Sequence, residues 1–440
     1  MVESAIKYNF GVNVIGHATG EFGVGEGMRC ILRAVQAAGI PFSIQNISVP
    51  WHRNLDSTYT NFSEDNPYPI NLVHLNPDSF LLDNWDTKYL QKRYNIGVWA
   101  WELPKFPSNW EFAFDLFDEV WTYSNYCHET ISQVSPLPVL KIMPSIELPL
   151  PSLDREALGL PQNKIIFMFI FDFHSTIERK NPGSVIKAFK QAFGKSNEDV
   201  LLVIKFSNAE HHPEQLNKLI VLRENDPSIH FIDGHLTKKQ VNALIYNCDC
   251  YVSLHRAESF GLTMAEAMFY GKPTLATAYS SNTDFMNVGN SFPVKYDLVT
   301  TTEDYFPYPK GSIWAEPDIA HAASLMQYVF HNYREAQKVG ARASEDIKSL
   351  LSPHSVGSKI RNRLEHIMSK FSPSISSFRI QEIEAEIDWQ DSQVQAWRQT
   401  AQQAQLELEE CRRQIFLKQF QRQQTKATGF SEIRMSNNSK

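Results

Sequence analysis

Short apolar runs alternate with longer amphipathic stretches along most of this chain, and the alternation comes in two successive series. That pattern restricts the fold more than any other feature. In the first series Phe10-Gly-Val-Asn-Val-Ile15 reads as a strand. It leads into the glycine-rich segment Gly16 to Glu26 and a helix from about Gly27 to Ala38, stopped by Gly39 and Pro41. Further strands are expected at Phe42–Ile47, Ile70–Leu75 and Tyr94–Trp99, with a helix over Asp78–Lys92. A proline-dotted stretch from Pro144 to Pro161 separates this series from a second one. There, strands are expected at Ile165–Phe171, Val200–Phe206, Ile229–Ile232, Cys250–Leu254 and Pro273–Ala276. Helices between them fall at Pro182–Phe193, Pro213–Glu224, Lys238–Asn247 and Thr263–Tyr270. Strands alternating with helices imply a parallel sheet covered on both faces. The reading is therefore α/β, with one such domain over 1–150 and another over 151–345. A ligand is expected in the cleft between them, at the carboxyl ends of the strands.

Beyond residue 345 the character changes. Residues 346–370 predict a helix packing back on the body, and 371–379 read as a linker. Ile380, Ile387, Val394, Ala401, Leu408 and Ile415 then recur at every seventh position. A seam this narrow predicts a coiled coil over 380–423, and with it a homo-oligomer or a bound partner. A single amphipathic helix lying on its own body is the alternative. The polar residues 424–440 read as a disordered tail.

Composition narrows the function. A chain of 440 residues exceeds what one compact core holds. A net charge of −7 argues against a dedicated nucleic-acid binder. Five scattered cysteines (30, 127, 248, 250 and 411) suit reduced thiols in a cytosolic protein, with Cys248 and Cys250 read as packing rather than metal ligands. The longest apolar runs fall far short of the roughly 20 residues a membrane span needs. The N-terminus has no apolar core of the signal-peptide kind. A cytoplasmic location is expected, with peripheral membrane contact through a local patch left open.

The segment from Asp249 to Ala278 carries the strongest chemical signal. A buried strand ends in the polar loop His255-Arg-Ala-Glu-Ser-Phe-Gly261, and a helix starting at Leu262 or Thr263 follows, with Glu266 in its first turn. A helix N-terminus offers unpaired N–H groups and partial positive charge, which suits phosphate. Glu258 and Glu266, eight residues apart across this junction, can accept hydrogen bonds from hydroxyls at two ends of one polyhydroxy ligand. By spacing alone, the structural reading stands level: Glu266 complements the helix dipole and Glu258 is a loop charge.

Glu258 and Glu266, with Ser259-Phe-Gly-Leu-Thr-Met-Ala265 between them, resemble the Glu-x7-Glu motif of glycosyltransferase family 4. The resemblance extends to Ala267–Pro273 and Trp314-Ala-Glu-Pro-Asp318 and, more weakly, to Gly20–Glu26 and Val98–Pro104, covering roughly residues 10–368. It implies the GT-B fold, two Rossmann-like domains facing across a cleft, and a retaining transfer from a nucleoside diphosphate sugar of the UDP or GDP type. By that resemblance Glu258 contacts the donor sugar and Glu266 the ribose diol. The N–H groups of Phe260, Gly261, Leu262 and Thr263 receive the diphosphate. Family members commonly carry an Arg and a Lys about five apart after the first strand of this domain. Here Lys180 matches the Lys, but Ser175 stands at the Arg position and Arg179 adjoins Lys180. Lys205 is a further candidate for the diphosphate, or else half of a structural ion pair. Gly234 and His235 lie where the family holds the base, and Gly23 is the best match in the N-terminal glycine loop. Where many members place a His, this chain reads Trp99-Ala-Trp-Glu-Leu-Pro104, leaving Glu102 either turned toward the acceptor hydroxyl or a satisfied loop charge. His17 and His128 read as structural.

Helix-terminal N–H groups with Arg179, Lys180 or Lys205 can stabilise a departing diphosphate without metal, and the sequence has no Asp-x-Asp pair. Neither a metal nor a further cofactor is expected, and the acceptor, a glycan, a lipid-linked intermediate or a small molecule, stays open. The alternatives are another GT-B enzyme, such as a sugar-nucleotide epimerase or a phosphorylase, and a coiled-coil scaffold with a non-catalytic body.

Overall fold

The computed structural model describes residues 9–49, 52–63, 65–82 and 87–370. The linker 371–379, the coiled coil 380–423 and the tail 424–440 expected from the sequence lie outside them. The chain divides into two compact units, residues 1–77 with 86–371, and residues 78–85 with 372–440. Of the second unit the described part includes one helical turn, α2 (Ser79–Leu82).

The larger unit opens with β1 (Val12–Gly16), α1 (Gly23–Ala37), β2 (Phe42–Asn46), β3 (Ile70–His74), β4 (Tyr94–Trp99), β5 (Glu119–Thr122), α3 (Asn125–Ser132) and β6 (Val139–Lys141). These strands form a six-stranded sheet in the order β2-β1-β3-β4-β5-β6. It is parallel throughout, with Gly16 opposite Asn46 on one side and His74 on the other. A second six-stranded parallel sheet takes β7 (Ile165–Asp172), β8 (Val200–Ser207), β9 (Ile229–Asp233), β10 (Cys250–Ser253), β11 (Thr274–Thr277) and β12 (Phe292–Val294), in the order β12-β11-β10-β7-β8-β9. Its helices are α4 (Ile177–Lys180), α5 (Pro182–Phe193), α6 (Pro213–Arg223), α7 (Lys238–Asn247) and α8 (Leu262–Phe269). The antiparallel pair β13 (Tyr296–Thr300) and β14 (Ile313–Pro317) precedes α9 (Ile319–His331), α10 (Tyr333–Leu351) and α11 (Pro353–Lys370).

Local chemistry accounts for these boundaries. All eight residues of β8 are buried, as expected of a central strand covered on both faces. Prolines 182 and 213 open α5 and α6 at positions whose N–H has no helical partner. A capping box between Thr237 and Gln240 starts α7. In each sheet the strand order reverses beside the first strand, between β1 and β3 and between β7 and β10. The crevice outside the carboxyl ends of the strands at such a reversal is where open α/β sheets take ligands.

Two sequence expectations need correction. Helix α1 begins at Gly23 rather than Gly27, so Gly23 and Gly25 are helical and not loop residues. A Cβ on Gly25 would sit 2.3 Å from the Gly20 carbonyl oxygen, so glycine permits the loop to fold onto the helix start. The helix expected over Asp78–Lys92 is, where described, only α2 and a 3₁₀ turn at Thr87–Leu90. There the buried side chains of Asn71 and Asn95 donate to the Tyr89 and Leu90 carbonyls, both at 2.9 Å, and take up the acceptors a continuing helix would need. The sequence reading also passed over β5, α3, β6 and the β13–β14 hairpin.

The last helix ties the two sheets together. Ile146 N–H donates to the Leu351 carbonyl at 2.7 Å, and α11 then returns to lie on α1. Arg361 Nε donates to the Ala38 carbonyl at 2.9 Å, and Arg363 Nε meets both oxygens of the buried Glu119 at 3.0 and 3.1 Å. Gly357 marks the closest approach, because a Cβ there would lie 2.3 Å from the Ala34 carbonyl oxygen. Among the described residues no helix is long and apolar enough to cross a membrane.

Gly357→Val is expected to cost about 2 kcal/mol through overpacking, lowering the melting temperature by about 2 to 3 °C. Gly183→Ala, whose added Cβ meets only Leu222 Cδ1 at 3.4 Å, is expected to cause no loss. Equal melting of both variants in a thermal scan would contradict backbone-level packing of α11 on α1.

Candidate active site

The site grows from the switch point of the second sheet. Strand β10 ends beside β7, and the chain turns through His255–Gly261 into α8. Gly261 caps this helix at φ +93°, a left-handed conformation, and a Cβ there would sit 2.2 Å from Met264 Cε. Among the described residues, no hydrogen bond takes up the N–H groups of Phe260, Gly261, Leu262 or Thr263. The turn is braced from behind: Glu258 N–H donates to Ser280 Oγ at 2.9 Å, and Asn181 Nδ2 donates to the Leu254 carbonyl at 3.0 Å. Asn181 ends α4 and precedes Pro182 in the left-handed region, which Asn tolerates well. This geometry delivers Arg179 and Lys180 to Glu258.

Glu258 is buried, 7% exposed, and its carboxylate meets Lys180 Nζ at 2.5 Å and Arg179 Nη1 at 3.4 Å. Burial alone would raise the carboxyl, but Lys180 and then Arg179 hold it down at about 2. It is thus ionised at neutral pH and weakly basic. Arg179 Nη1 also donates to the Ala257 carbonyl at 3.0 Å and Nη2 to the Ser175 carbonyl at 3.2 Å, while its buried Nε has no partner. From the first sheet, Glu102 completes the cluster at 3.9 Å from Arg179 Nη2 and accepts from the Tyr308 hydroxyl at 3.0 Å. The Tyr308 ring lies under the Arg179 guanidinium, 5.9 Å to the centroid. Four of the residues singled out from the sequence (Glu102, Arg179, Lys180 and Glu258) therefore meet in one network spanning the cleft.

Glu266 belongs to a second network. It is 2% exposed and lies one turn into α8, not in the first turn, so the helix dipole does not explain it. Its partner is Lys238, the first residue of α7, which also stands 3.8 Å from Glu26 of α1. Glu26 in turn accepts from Arg29 Nε at 3.0 Å and Arg33 Nη2 at 2.9 Å. Burial works to raise the Glu26 carboxyl, but Lys238, Arg33 and Arg29 together hold it at about 2. Lys238 is disfavoured by its own burial, yet Glu26 and Glu266 outweigh that and raise it above the ordinary lysine range.

The remaining predicted residues sit apart from both networks. Lys205 is 6% exposed and, among the described residues, has no carboxylate within ion-pair distance; burial pushes its ammonium below the usual range while Asp172 and Asp233 oppose. Gly234, at φ +112°, and Gly23 both face open space where a Cβ would stand. His235 bonds Asn208, which donates to Asp172. His17 and His128 each bond a backbone carbonyl, Ile47 at 2.7 Å and Val139 at 3.1 Å. Sequence reading missed Lys238, Glu26, Arg33 and Tyr308. Lys238 had one usable signal, its place directly after a capping threonine. The described cysteines 30, 127, 248 and 250 are free and buried. Among the described residues, no group of three or more His, Cys, Asp or Glu is set to hold a metal ion.

The cleft is also closed by Ser124 Oγ donating to Ser281 Oγ at 2.7 Å and by Lys141 meeting Asp284 at 3.0 Å. A carboxyl held at about 2 when folded contributes stability above its ordinary value of 4.5, lost as pH falls toward 2. For Glu26 that contribution is about 3 kcal/mol. The stability gap between the wild type and Glu26→Gln, from urea unfolding, should be full at pH 6 to 7 and shrink from about pH 4.5 downward. A gap constant down to about pH 2.5 would contradict the pairing.

Comparison with known proteins bears on the fold and the class of reaction. Residues 152–346 match the family model described as glycosyl transferases group 1. No curated protein sequence matches the chain. Among solved structures, sucrose-phosphate synthase from Thermosynechococcus elongatus is 15% identical with a TM-score of 0.61, covering 82% of this chain and all of that one. A glycosyltransferase from Rickettsia africae is 14% identical with a TM-score of 0.59, over 83% of this chain and 100% of its own. Anabaena HepE, in complex with UDP and glucose, is 12% identical with a TM-score of 0.58, over 81% of this chain and 100% of its own. These likenesses establish the GT-B fold. With the family match over 152–346 on that body, the chain is a glycosyltransferase.

Proposed function

We propose that the chain is a retaining, metal-independent transferase of family 4 that moves a sugar from a UDP or GDP sugar to a hydroxyl acceptor. The observation that carries this reading is the grip of Lys180 and Arg179 on Glu258 beside the unpartnered N–H groups at the start of α8. Those donors and cations suit a diphosphate, and Glu266 then holds the ribose diol, taking its hydroxyls in exchange for part of the Lys238 contact. The family's missing Arg has a substitute. The Arg179 guanidinium folds back to the carbonyl of Ser175, the residue at the Arg position, and its orphan Nε leaves a donor free for phosphate. Glu102, engaged by Arg179 and Tyr308, positions that guanidinium. Lys205 and Gly234 flank the nucleotide.

In the reaction the bond from the anomeric carbon to the phosphate oxygen breaks, and the acceptor oxygen bonds that carbon on the same face. Negative charge gathers on the diphosphate, where Lys180, Arg179 and the helix N–H groups meet it. The acceptor proton passes to the departing phosphate oxygen, while Glu258, ionised beside Lys180 and Arg179, enters the reaction as a carboxylate. It accepts from donor sugar hydroxyls.

Glu258→Gln and Lys180→Ala are expected to lower kcat about 100-fold or more. Glu266→Gln is expected to raise the donor KM about tenfold with kcat little changed. Nucleotide release from UDP-glucose and GDP-mannose, followed with and without added acceptors, measures both. Unchanged rates in all three variants, or epimerised or phosphorolysed donor in place of transferred sugar, would refute the reading.

A further inference from the structure

The loop between β13 and β14, residues 301–312, reaches the catalytic network through Tyr308 and ends in a tip that the donor reading leaves unused. The tip is a built structure. Thr301 N–H donates to the Ser312 carbonyl at 2.8 Å and closes its base. Tyr305 and Tyr308 exchange backbone hydrogen bonds at 2.8 and 2.7 Å around Phe306 and Pro307, and the Tyr305 ring stacks on Trp314. Two contacts fasten the tip to the site. Tyr308 lies beneath Arg179 and donates to Glu102. Thr176, at the head of the turn that carries Arg179 and Lys180, donates its hydroxyl to the Phe306 carbonyl at 3.0 Å. Thr176 holds φ +61°, a conformation uncommon for a β-branched residue, and strain of this kind gathers at functional sites.

The result is an aromatic side chain fixed at the rim of the cleft and left 89% exposed. Exposed Glu303, Asp304 and Lys310 lie on the same loop. A membrane-inserting tip would present a contiguous apolar surface. An exposed aromatic ring on a loop that also carries exposed charges instead matches a pyranose, which has an apolar C–H face and a rim of hydroxyls. Laying that face on the ring removes apolar surface of both from water, while the flanking charges accept from or donate to the hydroxyls.

We propose that the β13–β14 tip is an acceptor subsite that takes a saccharide ring on Phe306, so that the acceptor is a carbohydrate. This rests on the donor reading above and names the partner of the same site. With the full chain in the presence of UDP or GDP, saturation-transfer NMR would measure binding of methyl α-glucoside, methyl α-mannoside, maltose and cellobiose, with glycerol and octanol as non-sugar alcohols. At least one saccharide is expected to bind the wild type, to bind Phe306→Ala about tenfold more weakly, and to recover with Phe306→Trp. No saccharide binding to the wild type, a change within twofold in Phe306→Ala, or preferential binding of octanol would overturn the subsite. Failure of the donor reading shows separately, as absence of UDP and GDP binding to the wild type by calorimetry, and Phe306→Ala is expected to leave that binding unchanged.

Discussion

Burying a carboxylate is costly unless it is paired or hydrogen-bonded, and the pairing of Glu258 with Lys180 and Arg179 is the constraint around which this molecule is arranged. Strand β10 and the loop after it put the acid at the centre of the second sheet. The one-turn helix α4, pinned by Asn181 to the Leu254 carbonyl, brings both bases to it. The same pairing makes the site responsive, because an anionic ligand competes with Glu258 for cations that are already in place and need little reorganisation.

The two halves of the cleft are held in register by charges on both sides. Glu102 of the first sheet reaches Arg179, and Glu26 of α1 reaches Lys238. Each of these acids shares its cation with a residue of the Glu258–Glu266 motif. In the proposed reading, donor recognition and domain closure use the same cations, so a ligand entering the site alters both at once. Helix α11 returns to α1, with its closest approach at Gly357 and Arg361 bonded to the Ala38 carbonyl.

Much of this was legible in the sequence, for physical reasons that can be named. A continuous apolar strand followed by a polar loop, Gly261 and a helix with an internal acid can be read from consecutive residues, so Glu258, Glu266 and the start of α8 were accessible. Helices opened by Pro182 and Pro213 were read correctly because proline fixes a first turn locally. The partners were not accessible in the same way. Tyr308 bonds Glu102 across 206 residues, and Lys238 lies 28 residues before Glu266, so only the fold brings them together. The start of α1 was misplaced because glycines at 23 and 25 look like a loop. The smallness of Gly25 serves its packing against the Gly20 carbonyl instead. The helix expected over Asp78–Lys92 is a 3₁₀ turn at Thr87–Leu90, where the asparagines that take the Tyr89 and Leu90 carbonyls are remote in sequence.

The central claim is that one nucleotide sugar spans both networks, with its diphosphate at Lys180, Arg179 and the head of α8 and its ribose at Glu266. A crystal structure of the full chain with a bound UDP or GDP sugar tests it most directly. The account predicts both ribose hydroxyls within hydrogen-bond reach of the Glu266 carboxylate, and Lys180 or Arg179 turned from Glu258 onto a phosphate oxygen. A nucleotide seated elsewhere, or a diphosphate out of reach of both cations and of the N–H groups from Phe260 to Thr263, would contradict it.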